Sequence, residues 1–155
     1  MQIMTKDFGE LEISQDSIIT FPKGIMAFEE IKDYVLLNYE LDIENSPIKC
    51  LQSISGNVSF TVVDPFCFLP DYAPVLNNAD KKLLAVDDDK DLRFLVIAVI
   101  GETMAETVVN LRSPIVINTV NRRAMQVILE GDQYPLKYHL FVTDVDKDGE
   151  VAEQC

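Results

Sequence analysis

The sequence predicts a mainly β, small single-domain fold of barrel-like form with one or two short helices, and three observations carry that reading. Roughly eight to ten short apolar or alternating runs follow one another, each close to a glycine or proline, as in sandwiches and small barrels. The long helical patterns that connect parallel strands in doubly wound α/β proteins are missing. The 155 residues are 48% hydrophobic, enough for one core that buries about two thirds of the unfolded-chain surface. The expected division is a single domain over residues 1–143 and an acidic, flexible tail over 144–155.

Taken in order, residues 2–13 read as strand, and residues 8–13 (FGELEI) alternate apolar and charged after their glycine. A second apolar run, 18–21, stops at the turn sequence Pro22-Lys23-Gly24. Residues 28–34 (FEEIKDY) fit one or two helical turns with Phe28 and Ile31 on one side. Residues 34–39 are extended, and the polar stretch 40–47 is a surface loop. Strands at 50–54 and 58–63 flank Ser55-Gly56-Asn57, a hairpin signal. Asn77-Asn78-Ala79-Asp80 starts a helix whose apolar side is Leu83, Leu84 and Val86, ahead of the acidic run 87–91. Residues 92–100 are the most hydrophobic segment and read as a strand buried on both faces. A helical turn is expected within 102–107. Residues 108–118 are extended but interrupted at Pro114, with 125–129 as hairpin neighbour, and 139–145 adds an edge strand before the chain frays.

The stretch that raises the functional question is 62–72, VVDPFCFLPDY. Pro65 forces Asp64 into an extended conformation and removes a ladder donor, so a central strand ends there, and Pro70 repeats the restriction. Phe66 and Phe68 sit between the two prolines. Their apolar area either plugs the end of a β core or faces a partner.

Charge narrows the partners. With 26 acidic and 13 basic residues the formal net charge is −13. Nucleic-acid binding needs a basic face, so this balance argues against DNA or RNA and is compatible with a basic protein. Three cysteines, at 50, 67 and 155, form an odd and scattered set, read as free thiols of a reducing compartment. The first ten residues lack an apolar core of signal-peptide length, and the longest apolar run, 94–100, is far short of a membrane span. The expectation is a cytoplasmic protein.

Chemistry-bearing constellations are weak. His139 is the single histidine; with Cys50 or Cys67 it could form a nucleophile–base pair, yet a lone histidine at a strand start is more often structural. Three scattered cysteines and one histidine make no zinc site. Isolated glycines build no phosphate cradle, so no cofactor is expected. Residues 144–149, DVDKDG, copy the start of a calcium loop, but its twelfth position is Cys155 and strand-like sequence precedes it, so no metal is expected. The acidic runs read alone are solvated surface. What remains is a protein that acts by binding.

Read together, several blocks resemble the FliW family of bacterial flagellar assembly factors: Thr5-Lys6-Asp7-Phe8-Gly9-Glu10-Leu11-Glu12-Ile13, Ile19-Thr20-Phe21-Pro22-Lys23-Gly24-Ile25 with Phe28-Glu29, Leu51-Gln52-Ser53, Val62-Val63-Asp64-Pro65-Phe66 with Pro70-Asp71-Tyr72, Asn110-Leu111, Pro114-Ile115-Val116-Ile117-Asn118 and Gln126-Val127-Ile128-Leu129. The resemblance spans about residues 3–138. It departs at Ala27 and Ala124, where the family tends to have glycine, at Cys50, where an aromatic is common, and at Ser113, often alanine. Alanine resists positive φ, so the turns at 27 and 124 are expected to differ slightly. The resemblance implies a non-enzymatic, β-barrel-like binding protein with two alternative partners: the RNA-binding translational regulator CsrA, whose repression of flagellin messenger RNA is relieved on binding, and cytoplasmic flagellin, held before export. Acidic surface would attract the basic partner and an apolar cluster would anchor it. The candidate partner-binding residues are Phe66 and Phe68 as anchors, with Asp64, Asp71 and Tyr72 on the rim. The alternatives are that both phenylalanines only close the barrel end, that another basic protein is the partner, or that the chain is a cysteine/histidine enzyme.

Overall fold

A computed structural model describes residues 1–6, 8–39 and 46–140. The strands are β1 (Gln2–Thr5), β2 (Gly9–Glu12), β3 (Ile19–Thr20), β4 (Asp33–Asn38), β5 (Ile48–Ser53), β6 (Ser59–Val63), β7 (Leu92–Val99), β8 (Val108–Val109), β9 (Ile115–Asn118), β10 (Ala124–Gln126) and β11 (Tyr138–His139). One α-helix, α1 (Asn78–Leu84), and four short 3-10 turns complete them. The class is mainly β, as the alternating runs require.

β1 and β2 form a separate hairpin, and the main sheet runs β10-β9-β7-β6-β5-β4-β3, with β8 joining β7 and β11 joining β8. These ladders are antiparallel. The expected barrel does not close. Its end strands are two and three residues long, too short for a continuous ladder. They meet through an isolated parallel bridge from Thr20 to Arg123, where Thr20 N–H donates to the Arg122 carbonyl at 2.9 Å.

β7 is buried from both sides over its middle, as its apolar run predicts, but Val99 at its end and Ile100 beyond it are 63% and 61% exposed. Val96 and Ala98 face one core with Val63, Tyr72, Leu84, Val109 and Leu111. Leu95 faces the other with Phe21, Tyr34, Leu51, Val62 and Ile115. A third cluster, Ile3, Ile13 and Val35, seats the β1–β2 hairpin on the sheet. β8 and β9 follow one another along β7. The break between them comes from Asn110, whose Oδ1 accepts from Arg112 N–H (3.1 Å) and Ser113 N–H (2.9 Å), and from Pro114, which has no donor.

Residues 28–34 do not form the expected helical turns. Phe28 N–H donates to Ile25 C=O and Ile31 N–H to Phe28 C=O, successive tight turns, before Asp33 and Tyr34 enter β4. Phe21 N–H also takes the Lys32 carbonyl at 2.7 Å. So short a segment cannot sustain a helix against backbone pairing on both sides. Ala27 does adopt a left-handed turn, φ 77°. Ala124 does not: it is buried in β10, and the left-handed residue nearby is Arg122, φ 65°.

Cys50 carries a buried reduced thiol, but Cys67 is disulfide-bonded, against the expectation that all three thiols are free. Residues 40–45 of the expected 40–47 loop and everything after 140, including the rest of the expected last strand, the tail and its calcium-like sequence, lie outside the described residues.

Candidate functional site

β6 ends at Val63 because Asp64-Pro65 redirects the chain. Asp64 Oδ1 accepts from Phe66 N–H at 3.0 Å and so caps the 3-10 turn Pro65–Cys67, with Pro65 buried at its start. Leu69 N–H closes back on Pro65 C=O and Tyr72 N–H on Leu69 C=O, both at 2.9 Å. This tight path sends the two phenylalanines to different fates. Phe66 is 41% exposed, its ring 5.9 Å from Tyr72 and 6.3 Å from Phe94. Phe68 is half-buried, packs against the core and stacks on Tyr138 at 5.8 Å.

Asp71 is exposed. Tyr72, expected on the rim, is instead 3% exposed, and its hydroxyl donates to Leu111 C=O at 2.6 Å. Burial, and next the nearby Tyr134, push its phenol well above the usual tyrosine range. Tyr72 therefore supports the surface from behind, and the aromatic ring reaching solvent is Phe66.

Tyr72 connects this surface to a groove. Its ring meets Tyr134 edge-on at 4.7 Å, and Tyr134 Oη accepts from Ala73 N–H at 2.9 Å. Arg112 Nε donates to Tyr134 C=O at 3.0 Å and ties that loop to the break between β8 and β9. Between residues 73–77 and 128–134 lies a groove of about 180 Å³ whose wall includes Val75, Ile128 and Tyr134, with Asp80 and Glu130 beside them. Val75 is 80% and Ile128 61% exposed. Sequence reasoning missed both. Ile128 was findable: Met125, Val127 and Leu129 are buried, so the period of two turns Ile128 outward. Val75 carries no periodic signal.

Of the cysteines weighed as partners of His139, Cys67 is disulfide-bonded. Cys50 is 0% exposed within β5, whereas His139 is exposed on β11 with Nδ1 3.3 Å from Ala105 C=O. Among the described residues no three His, Cys, Asp or Glu side chains are grouped to hold a metal, and no helix is long and apolar enough to cross a membrane. The ion pairs among them are Met1–Glu12, Lys81–Asp89 and Lys90–Asp88, so Asp64 and Asp71 keep unpaired negative charge beside Phe66.

The FliW protein family model matches residues 2–140. The flagellar assembly factor FliW of Caldanaerobacter subterraneus subsp. tengcongensis is 39% identical over 139 residues, covering 89% of this chain and 91% of that protein. The protein of the same description from Syntrophus aciditrophicus is 40% identical over 141 residues, covering 90% and 87%. A crystal structure of the flagellar assembly factor FliW superposes with a TM-score of 0.85 at 34% identity, over 94% of this chain and all of that one. Sequence match, fold and extent of coverage agree: the chain belongs to the FliW family.

Proposed function

We propose that this chain is a cytoplasmic, non-enzymatic flagellar assembly factor that binds a CsrA-type RNA-binding regulator and, alternatively, flagellin. Binding the regulator relieves repression of flagellin messenger RNA, and accumulating flagellin recaptures the factor as an export chaperone would. The observation supporting this reading is the surface around Phe66: an exposed aromatic ring, unpaired carboxylates at Asp64 and Asp71, and a neighbouring groove with Val75 and Ile128, on a chain of net charge −13. A basic partner is drawn by the charge, and the apolar groups hold it once docked.

Phe66→Ser and Phe68→Ser separate anchoring from folding. Phe66→Ser lowers stability by about 1 kcal/mol or less, because the ring is already half in water, and weakens partner binding by roughly tenfold or more. Phe68→Ser costs about 2–4 kcal/mol, because it opens the contact with Tyr138 and the core. Urea melts and titration calorimetry with purified CsrA and flagellin read both quantities. Full affinity in a folded Phe66→Ser variant removes that residue from the interface. Competition is tested by adding flagellin to the preformed CsrA complex: displacement is expected, and a stable ternary complex overturns the alternation.

A further inference from the structure

The inner face of the main sheet changes character along its length. Leu36 pairs with Leu51 and Leu51 with Phe60, an apolar rung. Two residues further along the same face, Asn38 pairs with Lys49, Lys49 with Val62 and Val62 with Ile97. On β7, Arg93 shares the face of Leu95 and Ile97 and lies opposite Ile117. Arg122 reaches the same place from the turn between β9 and β10. Together Asn38, Lys49, Arg93 and Arg122 line a cavity of about 230 Å³ over Ile19 and Ile117. Three of the chain's 13 basic residues thus converge on one small cavity, although 26 residues are acidic, and among the described residues no carboxylate lines it.

The guanidiniums are incompletely satisfied. Neither Arg93 nor Arg122 forms an ion pair among the described residues. One terminal nitrogen of Arg122 donates to Ser17 C=O at 2.9 Å, but its Nε is buried with no hydrogen-bond partner. A buried charged donor without an acceptor is costly, and neighbouring like charges add to that cost. Arg122 is held in place all the same. Its backbone is left-handed at φ 65°, its N–H donates to Asn118 C=O at 2.8 Å and its C=O accepts from Thr20 at 2.9 Å. A strained residue fixed on both sides, with its side chain short of an acceptor, marks a position whose strain the surrounding structure maintains.

We propose that this cavity binds one small free oxyanion, of the size and charge of inorganic phosphate, held by Arg93 and Arg122. The chemistry selects the class. Guanidinium groups pair with oxyanions through charge-assisted hydrogen bonds. A volume below the roughly 300–1,000 Å³ of small-molecule pockets favours a small ion over a nucleotide or an extended cofactor. The site lies within the sheet's inner face and does not share lining residues with the groove beside Tyr134, so it stands apart from the partner surface.

The test compares the full chain with its Arg93→Gln and Arg93→Lys variants in potassium phosphate and in potassium chloride at matched ionic strength. Titration calorimetry with inorganic phosphate and thermal melting are the two readouts. The expected result is a saturable rise in melting temperature with phosphate beyond that in chloride, and a calorimetric isotherm with one site. Arg93→Gln weakens that binding roughly tenfold or more, and Arg93→Lys retains part of it. Sulfate, a tetrahedral dianion, substitutes for phosphate; acetate competing equally well overturns the assignment to an oxyanion of phosphate's size and charge. A non-saturating stabilisation that is identical in wild type and Arg93→Gln is the general effect of excluded salts, and overturns the proposal. So does the absence of phosphate binding to the wild-type chain by calorimetry, a result independent of how the variants fold.

Discussion

Tyr34 and Tyr72 are both buried phenols, yet the same substitution has opposite consequences at the two positions. Tyr34 is 0% exposed between Phe21 (5.2 Å) and Phe60 (6.2 Å), and its hydroxyl has no hydrogen-bond partner. Removing an unsatisfied buried hydroxyl removes a penalty, so Tyr34→Phe leaves urea-melt stability unchanged or raises it by about 1 kcal/mol. Tyr72→Phe deletes the donor to Leu111 C=O and costs about 1–3 kcal/mol. Burial pushes the Tyr34 phenol from 10.0 up to about 12. The folded-state value is the raised one, so its contribution is intact below pH 10 and is lost as pH rises from 10 through about 12. Tyr34→Phe therefore shallows the alkaline fall in stability across that window, and the residual fall comes in part from Tyr72, whose phenol is also raised.

Two elements depend on single turn residues. Helix α1 is seven residues long, too short to persist by propensity, and is fixed at both ends. Asn77 Oδ1 accepts from Asp80 N–H at 2.8 Å, while Asp80 Oδ2 accepts from Asn77 N–H at 3.4 Å, a capping box. At the other end Asn118 and Asn121 donate to Leu84 C=O, and Arg123 Nε to Leu83 C=O. Asn77→Ala is expected to cost about 1 kcal/mol, read by chemical denaturation, with one cooperative transition because Leu84 stays seated in the core. The β5–β6 turn is stricter. Gly56 has φ +85°, and a Cβ there would meet the Met4 carbonyl oxygen at 2.1 Å. Gly56→Ala should cost more than about 1 kcal/mol from conformation alone, with added loss where the turn packs on β1. Amide exchange should report faster opening of the β1–β2 hairpin; unchanged protection there would show that the contact does not couple the two.

At the scale of the whole molecule, charge and surface shape act together. A net charge of −13 produces a long-range field that raises encounter with a basic protein, and salt screens it. Under the proposed function, raising salt should slow association with CsrA by roughly tenfold or more, while dissociation, if Phe66 anchors the complex, changes little. Stopped-flow mixing at low and high salt separates the rates, and an association rate indifferent to salt would remove steering. The exposed Phe66 and the groove of Val75 and Ile128 are linked through the buried Tyr72, whose ring meets both Phe66 and the groove residue Tyr134.

Much of this was readable along the chain. The hairpin at Gly56, the helix start at Asn77 and the doubly buried β7 are local patterns, each with its own chemistry of turn, cap or uninterrupted apolar run. The blocks from Thr5 to Leu129 were also enough to indicate the family. Residues 28–34 were misread because their apolar spacing fits a helix, whereas pairing of Phe21 with Lys32 and of β3 with β4 claims the backbone. Whether Phe66, Phe68 and Tyr72 point in or out was decided by partners far along the chain, Phe94, Tyr138 and Leu111. The same holds for the convergence of Lys49, Arg93 and Arg122. A period of two assigns residues to faces of a strand; only the register and the incomplete closure of the sheet decide which distant residues those faces meet.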